Sequence, residues 1–195
     1  MVPPAEAAED EVVRRAQNGD PSAADDLLRR HYDRIYAVCR RIAGNDADAL
    51  DATQEALMAI VRGLPRYDAR ARFSTWAYRV ATNACLDELR RRRRRPQPTE
   101  IEDDSATWVA TDSGFDDTIV ERDEIDAALA EIPDQFRAPL VLRDLAGLDY
   151  AEISDTLGVP PGTVRSRIAR GRAALAAVLD GNQNGGSGRP SDRDD

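Results

Sequence analysis

The stretch Leu148-Asp149-Tyr150-Ala151-Glu152-Ile153-Ser154-Asp155-Thr156-Leu157-Gly158-Val159-Pro160-Pro161-Gly162-Thr163-Val164-Arg165-Ser166-Arg167 decides the fold. Asp149 with Glu152 three residues on has the form of a capping box, in which each side chain satisfies a backbone N–H of the first helical turn. Ile153 and Leu157 form the inner face of a short helix, and Gly158 supplies the left-handed residue that ends it. Val159 packs at the corner, while Val164 and Ile168 anchor the next helix inward. A short support helix, a glycine turn and a second helix held at a steep angle make a helix-turn-helix. At about 100° per residue, with Val164 facing the core, Ile168, Gly171 and Leu175 share its side. Arg165, Ser166 and Arg170 then point toward bases, with Arg167 and Arg172 at the edges where phosphates run. Thr163, at the start of the same helix, is a further candidate DNA-binding residue.

Charge distribution supports that reading although the net charge opposes it. The 195 residues carry a formal charge of −9, which alone argues against a phosphate-bearing partner. From Pro65 to Arg95, however, ten arginines face only Asp68, Asp87 and Glu88, a local net of +7. Between Pro96 and Gln135 thirteen acids face Arg122 alone, a local net of −12. Gly158 to Ala177 holds four arginines and no acid. All 27 basic residues are arginine, a bias that a GC-rich genome explains and that supplies planar, multi-donor cations. The local pattern, not the sum, describes the partner.

Composition points to an all-α chain of two small helical domains. Aromatics make up 5% of the residues, too few for a large β-rich core. Helical periodicity and Gly/Pro punctuation place helices at about 9–18, 21–43, 47–63 and 73–95, then at 118–131, 134–146, 150–157 and 161–179. Residues 1–8 read as a tail, and Asp46 and Ser74 or Thr75 read as helix caps. Pro139 predicts a late start or a bend in its helix. In 21–43 the apolar face is Leu28, Ile35, Val38, Cys39 and Ile42; in 47–63 it is Leu50, Leu57, Ile60, Val61 and Leu64. Residues 9–95 and 118–180 form the two domains, 96–117 a flexible acidic linker, and 181–195 a disordered tail.

In the helix at 73–95 an inner stripe of Phe73, Ala77, Val80, Ala81 and Ala84 leaves Trp76, Arg79, Asn83, Asp87 and Arg90 along another face. Asn reads adenine edges, and Arg reads guanine or grips phosphate. Taken alone, Trp76 fits a half-buried core position as well as a DNA contact. The run from Arg90 and Arg91 to Arg95 continues an already basic helix and reads as DNA-facing. Upstream, Arg66, Tyr67, Arg70 and Arg72 form a basic loop beside aromatics, a composition suited to unstacked bases. No catalytic set, metal site or cofactor is expected. Cys39 and Cys85 form no CxxC pair, His31 is the single histidine, and there is no Gly-rich phosphate loop. The longest apolar run falls short of a membrane span, and no secretory signal pattern opens the chain, so a cytoplasmic protein without membrane insertion is expected.

In order along the chain, Asp51-Ala52-Thr53-Gln54-Glu55-Ala56, Phe73-Ser74-Thr75-Trp76-Ala77-Tyr78-Arg79-Val80-Ala81-Thr82-Asn83, Ile132-Pro133 and Gly162-Thr163-Val164-Arg165-Ser166-Arg167-Ile168 resemble the bacterial RNA polymerase sigma factors of the extracytoplasmic-function group. The family more often has Leu-Pro at the third motif. This resemblance covers residues 10–180 and implies a sigma region 2 that melts and reads the −10 element, followed by a region 4 that reads the −35 element. It implies that Asp48, Asp51, Gln54 and Glu55 meet the coiled coil of the polymerase β′ subunit, with the β subunit, promoter DNA and an anti-sigma factor as further partners. Without the family match these four residues read as an ordinary wet helix face. By the same resemblance Asn83 and Asp87 are promoter-reading positions, and the loop 66–72 holds a flipped-out −10 base. The acidic linker, with Glu102, Asp103 and Asp104, would then mimic phosphate charge in the RNA path of the polymerase. A stand-alone helix-turn-helix regulator is the alternative. The motifs at 51–55 and 73–83 count against it, because a sensor domain has no need of them.

Overall fold

The structure, a computed structural model, describes the backbone of residues 4–94 and 117–185 and the side chains of 8–92 and 124–181. Among the described residues the chain is all-helical. Its elements are α1 (Pro4–Gln17), α2 (Pro21–Ala43), α3 (Asp46–Gly63), a 3-10 turn at Leu64–Arg66, α4 (Phe73–Arg94), α5 (Asp117–Glu131), α6 (Asp134–Asp144), α7 (Tyr150–Leu157) and α8 (Pro161–Gly185). The linker acids Glu102, Asp103 and Asp104 lie outside the described residues.

Local chemistry sets most boundaries. Asp20 caps α2 by accepting from the N–H groups of Ser22 and Ala23, with Pro21 pre-set in the first turn. Gly44, at φ +83°, closes its C-terminus. The cap of α3 is Asn45, whose side chain accepts from Asp48 N–H, so Asp46 is the first helical residue and not the cap. In α4 the Trp76 N–H bonds to the Arg72 carbonyl, which places Ser74 and Thr75 inside the first turn and not at its cap. α1 begins at Pro4, earlier than periodicity predicts, because Pro at the first turn followed by Ala5, Glu6, Ala7 and Ala8 favours helix by intrinsic propensity. α8 runs on through Gly181 to Gly185, into the stretch expected to be disordered. Glycine costs a helix only about 1 kcal/mol, and the Ala/Leu-rich turns before it carry the helix across. Pro139 does not delay α6, which begins at Asp134 and keeps the proline buried within it.

Helices α2, α3 and α4 pack on one another with α1 against α2, while α8 packs on α5, α6 and α7. The two groups meet mainly through α2, which also contacts α5 and α6, and more lightly between α4 and α7. At that seam Arg41 Nε donates to Asp126 Oδ1 at 2.8 Å. Nearby, Arg137 is buried, donating to the carbonyl of Ala130 at 3.0 Å and to Asp134 Oδ1 at 2.7 Å. Its guanidinium lies so close to Gly44 that a Cβ there would stand 2.9 Å from Nη1.

The core of the first bundle differs from the expected face in three places. Leu27, fully buried, takes the place expected for Leu28. In α4 the buried set is Phe73, Ala77, Tyr78, Ala81, Thr82 and Cys85, with Val80 and Ala84 only partly covered. In α3 the buried face is Ala49, Ala52, Thr53, Ala56 and Ile60, whereas Leu50 and Val61 are each 46% exposed. Small side chains let α3 lie close to its neighbours, and Thr53 tolerates burial because its Oγ1 donates to the Ala49 carbonyl at 2.7 Å.

Candidate nucleic-acid interface

The helix-turn-helix forms as its sequence dictates. Asp149 accepts from Glu152 N–H and Glu152 accepts from Asp149 N–H, both at 2.8 Å, completing the capping box. Gly158 takes φ +64°, a value that costs other residues strain. Ser154 Oγ then donates to the Val159 carbonyl at 2.6 Å and ties the turn to the support helix. Ile153, Val164 and Ile168 are buried. Gly171 is buried too, and a Cβ there would meet the Phe136 carbonyl at 2.9 Å, so only glycine allows this approach of α8 to α6.

On the outward face of α8, Arg165, Ser166, Arg170 and Arg172 are exposed, while Thr163 and Arg167 are half-buried. Three of these arginines rest on named partners. The Arg165 guanidinium lies 5.3 Å from the Tyr150 ring centre, which also carries Arg143 at 5.0 Å. Arg170 lies 5.9 Å from the Phe136 ring centre. Arg172 forms a two-pronged bond to Asp144, at 2.6 and 3.1 Å. Arg167 lines a groove between the bundles together with Arg90, Leu86, Leu89 and Leu157.

On α4, Asn83, Asp87, Arg90 and Arg91 are exposed. Asp87 and Arg90 pair at 2.7 Å, Arg91 pairs with Glu88 at 2.8 Å, and Arg92 reaches Asp48 at 2.6 Å. Arg79 does not share the open face. It is half-buried, its Nε lacks a hydrogen-bond partner, and its Nη2 stands 3.9 Å from Glu152 of α7. Trp76 is half-buried in an aromatic cluster, 5.2 Å from Tyr67 and 5.7 Å from Phe73 between ring centres.

Arg66, which ends the 3-10 turn, and Arg70 and Arg72 of the loop after it are exposed. The loop's shape is fixed from outside and inside. Gln17 of α1 donates to the carbonyls of Leu64 and Tyr67, at 3.2 and 2.6 Å. The Tyr67 hydroxyl donates to the Ala71 carbonyl at 2.5 Å, and Ala69 holds a left-handed φ of +56° between them. Gln17 escapes sequence reading because 47 and 50 residues separate it from its partners.

The exposed face of α3 carries Asp51, Gln54 and Glu55. Leu50, Met58 and Val61 form an apolar strip beside them, which sequence reading assigned in part to the core. Asp48 stands apart, held by Asn45 Nδ2 at 2.8 Å and by Arg92. Among the described residues no helix is long and apolar enough to cross a membrane, and no His, Cys, Asp and Glu cluster could hold a metal. Cys39 and Cys85 are buried free thiols.

Two family models match the chain: Sigma-70 region 2 over residues 27–95 and Sigma-70, region 4 over residues 122–175. The ECF RNA polymerase sigma factor SigE of Mycolicibacterium smegmatis is 40% identical over 83% of this chain, which spans 64% of that protein. The RNA polymerase sigma-H factor of Pseudomonas aeruginosa is 33% identical, covering 87% of this chain and 92% of its own length. The ECF RNA polymerase sigma factor SigW of Bacillus subtilis is 32% identical over 86% and 94% of the two chains. Among solved structures, CnrH in complex with the cytosolic domain of CnrY matches with a TM-score of 0.63 at 23% identity, over 89% of this chain and 98% of that one, a likeness of fold. With both regions matched in order and two relatives aligned over more than nine-tenths of their own length, the chain belongs to the extracytoplasmic-function group of the sigma-70 family.

Proposed function

We propose that this chain is the promoter-specificity subunit of a bacterial RNA polymerase, acting by binding and not by catalysis. α3 docks on core polymerase, α4 with the loop 66–72 opens and reads the −10 element, and α8 reads the −35 element. The observation that carries this reading is the exposed face of α3, where Asp51, Gln54 and Glu55 lie beside Leu50 and Val61. Scattered apolar exposure is ordinary, but Leu50, Met58 and Val61 form a contiguous strip flanked by charge, the pattern of a protein interface. The acids suit a basic coiled coil such as that of the β′ subunit.

In region 4, Arg165, Ser166 and Arg170 read bases and Arg167 and Arg172 hold phosphates; Thr163 lies at the helix start, where backbone N–H groups face an anion. On α4, Asn83 and Asp87 read the opened strand, and Arg90 and Arg91 grip its backbone. The protein acts in the cytoplasm, where the polymerase is. An anti-sigma factor holds it inactive; a solved sigma factor of similar fold, RpoE of Bartonella quintana, is in complex with the anti-sigma factor NepR.

Core polymerase with this protein should yield runoff transcripts from its promoters, and neither component alone should do so. Equal transcription without this chain would overturn the reading. Asp51→Arg should lower affinity for core polymerase by on the order of 2 kcal/mol, because like charges then meet across the interface. Its melting temperature should not move, since Asp51 is exposed. Unchanged polymerase affinity would remove α3 from the interface.

A further inference from the structure

Beside the loop 66–72 lies a cavity of about 670 Å³, a size that accommodates a compact ligand. Tyr67 and Phe73 supply its aromatic wall. Its far side is built from outside the loop, by Glu9 and Gln17 of α1 and His31 of α2. α1 lies before the residues matched by the Sigma-70 region 2 model, which begin at residue 27.

Two observations make this side a site. His31 is only 9% exposed, its ring packed 5.0 Å from that of Phe73, yet its Nε2 has no hydrogen-bond partner. That atom lies 3.4 Å from Glu9 Oε2, close enough for electrostatic contact but not aligned as a hydrogen bond. Burial pushes the His31 pKa below the ordinary histidine value although Glu9 opposes it, so the ring is neutral near pH 7. A buried polar atom left unpaired costs free energy, and a ligand that pairs it recovers that cost.

The charges sort the ligand. Glu9 is half-buried, whereas Asp10, Arg34, Arg70 and Arg72 around the same cavity are exposed. A phosphate suits the arginines but is repelled by the carboxylates. A nucleotide satisfies both, with its phosphates on the arginines and its base turned inward. A carboxylate accepts from an exocyclic amine, as Glu and Asp do from cytosine N4. Thymine offers one ring N–H between two carbonyl oxygens that a carboxylate repels.

We propose that Glu9 and His31 read an unstacked nucleobase bearing an exocyclic amine, so that α1 sets base specificity in the −10 element. Gln17, bonded to the loop at Leu64 and Tyr67, is the positioning residue that keeps the loop against this wall. The assignment rests on the reading of the loop as the holder of a flipped −10 base.

The test is transcription by core polymerase with the full chain from templates randomised across the −10 region, followed by sequencing of the productive templates. The wild type should select an amino-bearing base over thymine at one position by about tenfold; which of cytosine, adenine or guanine dominates identifies the base. Glu9→Gln, whose amide donates as well as accepts, should bring thymine there to near parity and leave every other position unchanged. Glu9→Ala should relax the same position while retaining the wild-type melting temperature. Base frequencies identical to wild type in both variants, or a preference for thymine at every position in the wild type, would overturn the proposal. A wild-type protein that supports no transcription would instead overturn the sigma-factor reading on which it rests.

Discussion

Two arginines of α8 and three of α4 are held in opposite ways. On α8, Arg165 and Arg170 lie over the rings of Tyr150 and Phe136. On α4, Arg90, Arg91 and Arg92 pair with the carboxylates of Asp87, Glu88 and Asp48. An aromatic seat fixes the plane of a guanidinium and takes none of its N–H donors. A carboxylate occupies those donors and must be exchanged for a phosphate before DNA can bind. The first arrangement suits base reading, where geometry must be set in advance. The second suits a grip on backbone, where charge matters more than angle. It also keeps a densely basic helix from repelling itself in the free protein.

The largest expected difference is therefore between Arg170 and Arg91. Arg170→Ala should cost about 1–3 kcal/mol on the preferred −35 duplex and much less on scrambled sequence. Arg91→Ala should weaken promoter binding by the holoenzyme equally across sequences and reduce the slope of log affinity against log salt by about 1. Titrations at several salt concentrations separate the two. If Arg170→Ala lost affinity uniformly, α8 would hold DNA the way α4 does, and the contrast would fail.

A smaller effect sharpens the same contrast. Tyr150→Leu should weaken −35 binding by about 0.5–1 kcal/mol through loss of the ring beneath Arg165. Tyr150→Phe, which keeps the ring face, should keep most of the affinity. In a double-mutant cycle, Tyr150→Leu and Arg165→Ala should be less than additive, since the first acts through the second. Full additivity would mean that the ring packs against Arg165 without aiming it.

How far the sequence reveals each feature depends on how local its causes are. The helix-turn-helix is legible residue by residue because Asp149, Glu152 and Gly158 act within one or two turns of each other. The face of α3 is not, because ranking side chains by hydrophobicity sends Leu50 and Val61 inward. The bundle buries Ala49, Ala52, Ala56 and Thr53 instead, since small residues permit closer helix packing. In α4 the buried stripe turns toward Tyr78, Thr82 and Cys85 because neighbours press on it from several sides; Thr82 is satisfied within the helix by the Tyr78 carbonyl at 2.7 Å. The α1 wall of the loop cavity is the least legible feature. Gln17 meets the loop through contacts that no period or motif encodes.

The smallest expected effect concerns the arginine of α8 that breaks the aromatic pattern. Arg172 is bound to Asp144 at 2.6 Å, with both side chains about half exposed (55% and 44%). An exposed, solvent-screened pair of this kind adds little to stability, so Asp144→Asn should leave the melting temperature nearly unchanged. It should, however, release the guanidinium and remove a negative charge near the phosphates. DNA binding should then tighten by about 0.5 kcal/mol, equally on preferred and scrambled duplexes, with the gain fading at high salt. A gain confined to the preferred sequence would instead place Arg172 among the base readers, with Asp144 as its aiming partner in the role that Tyr150 fills for Arg165.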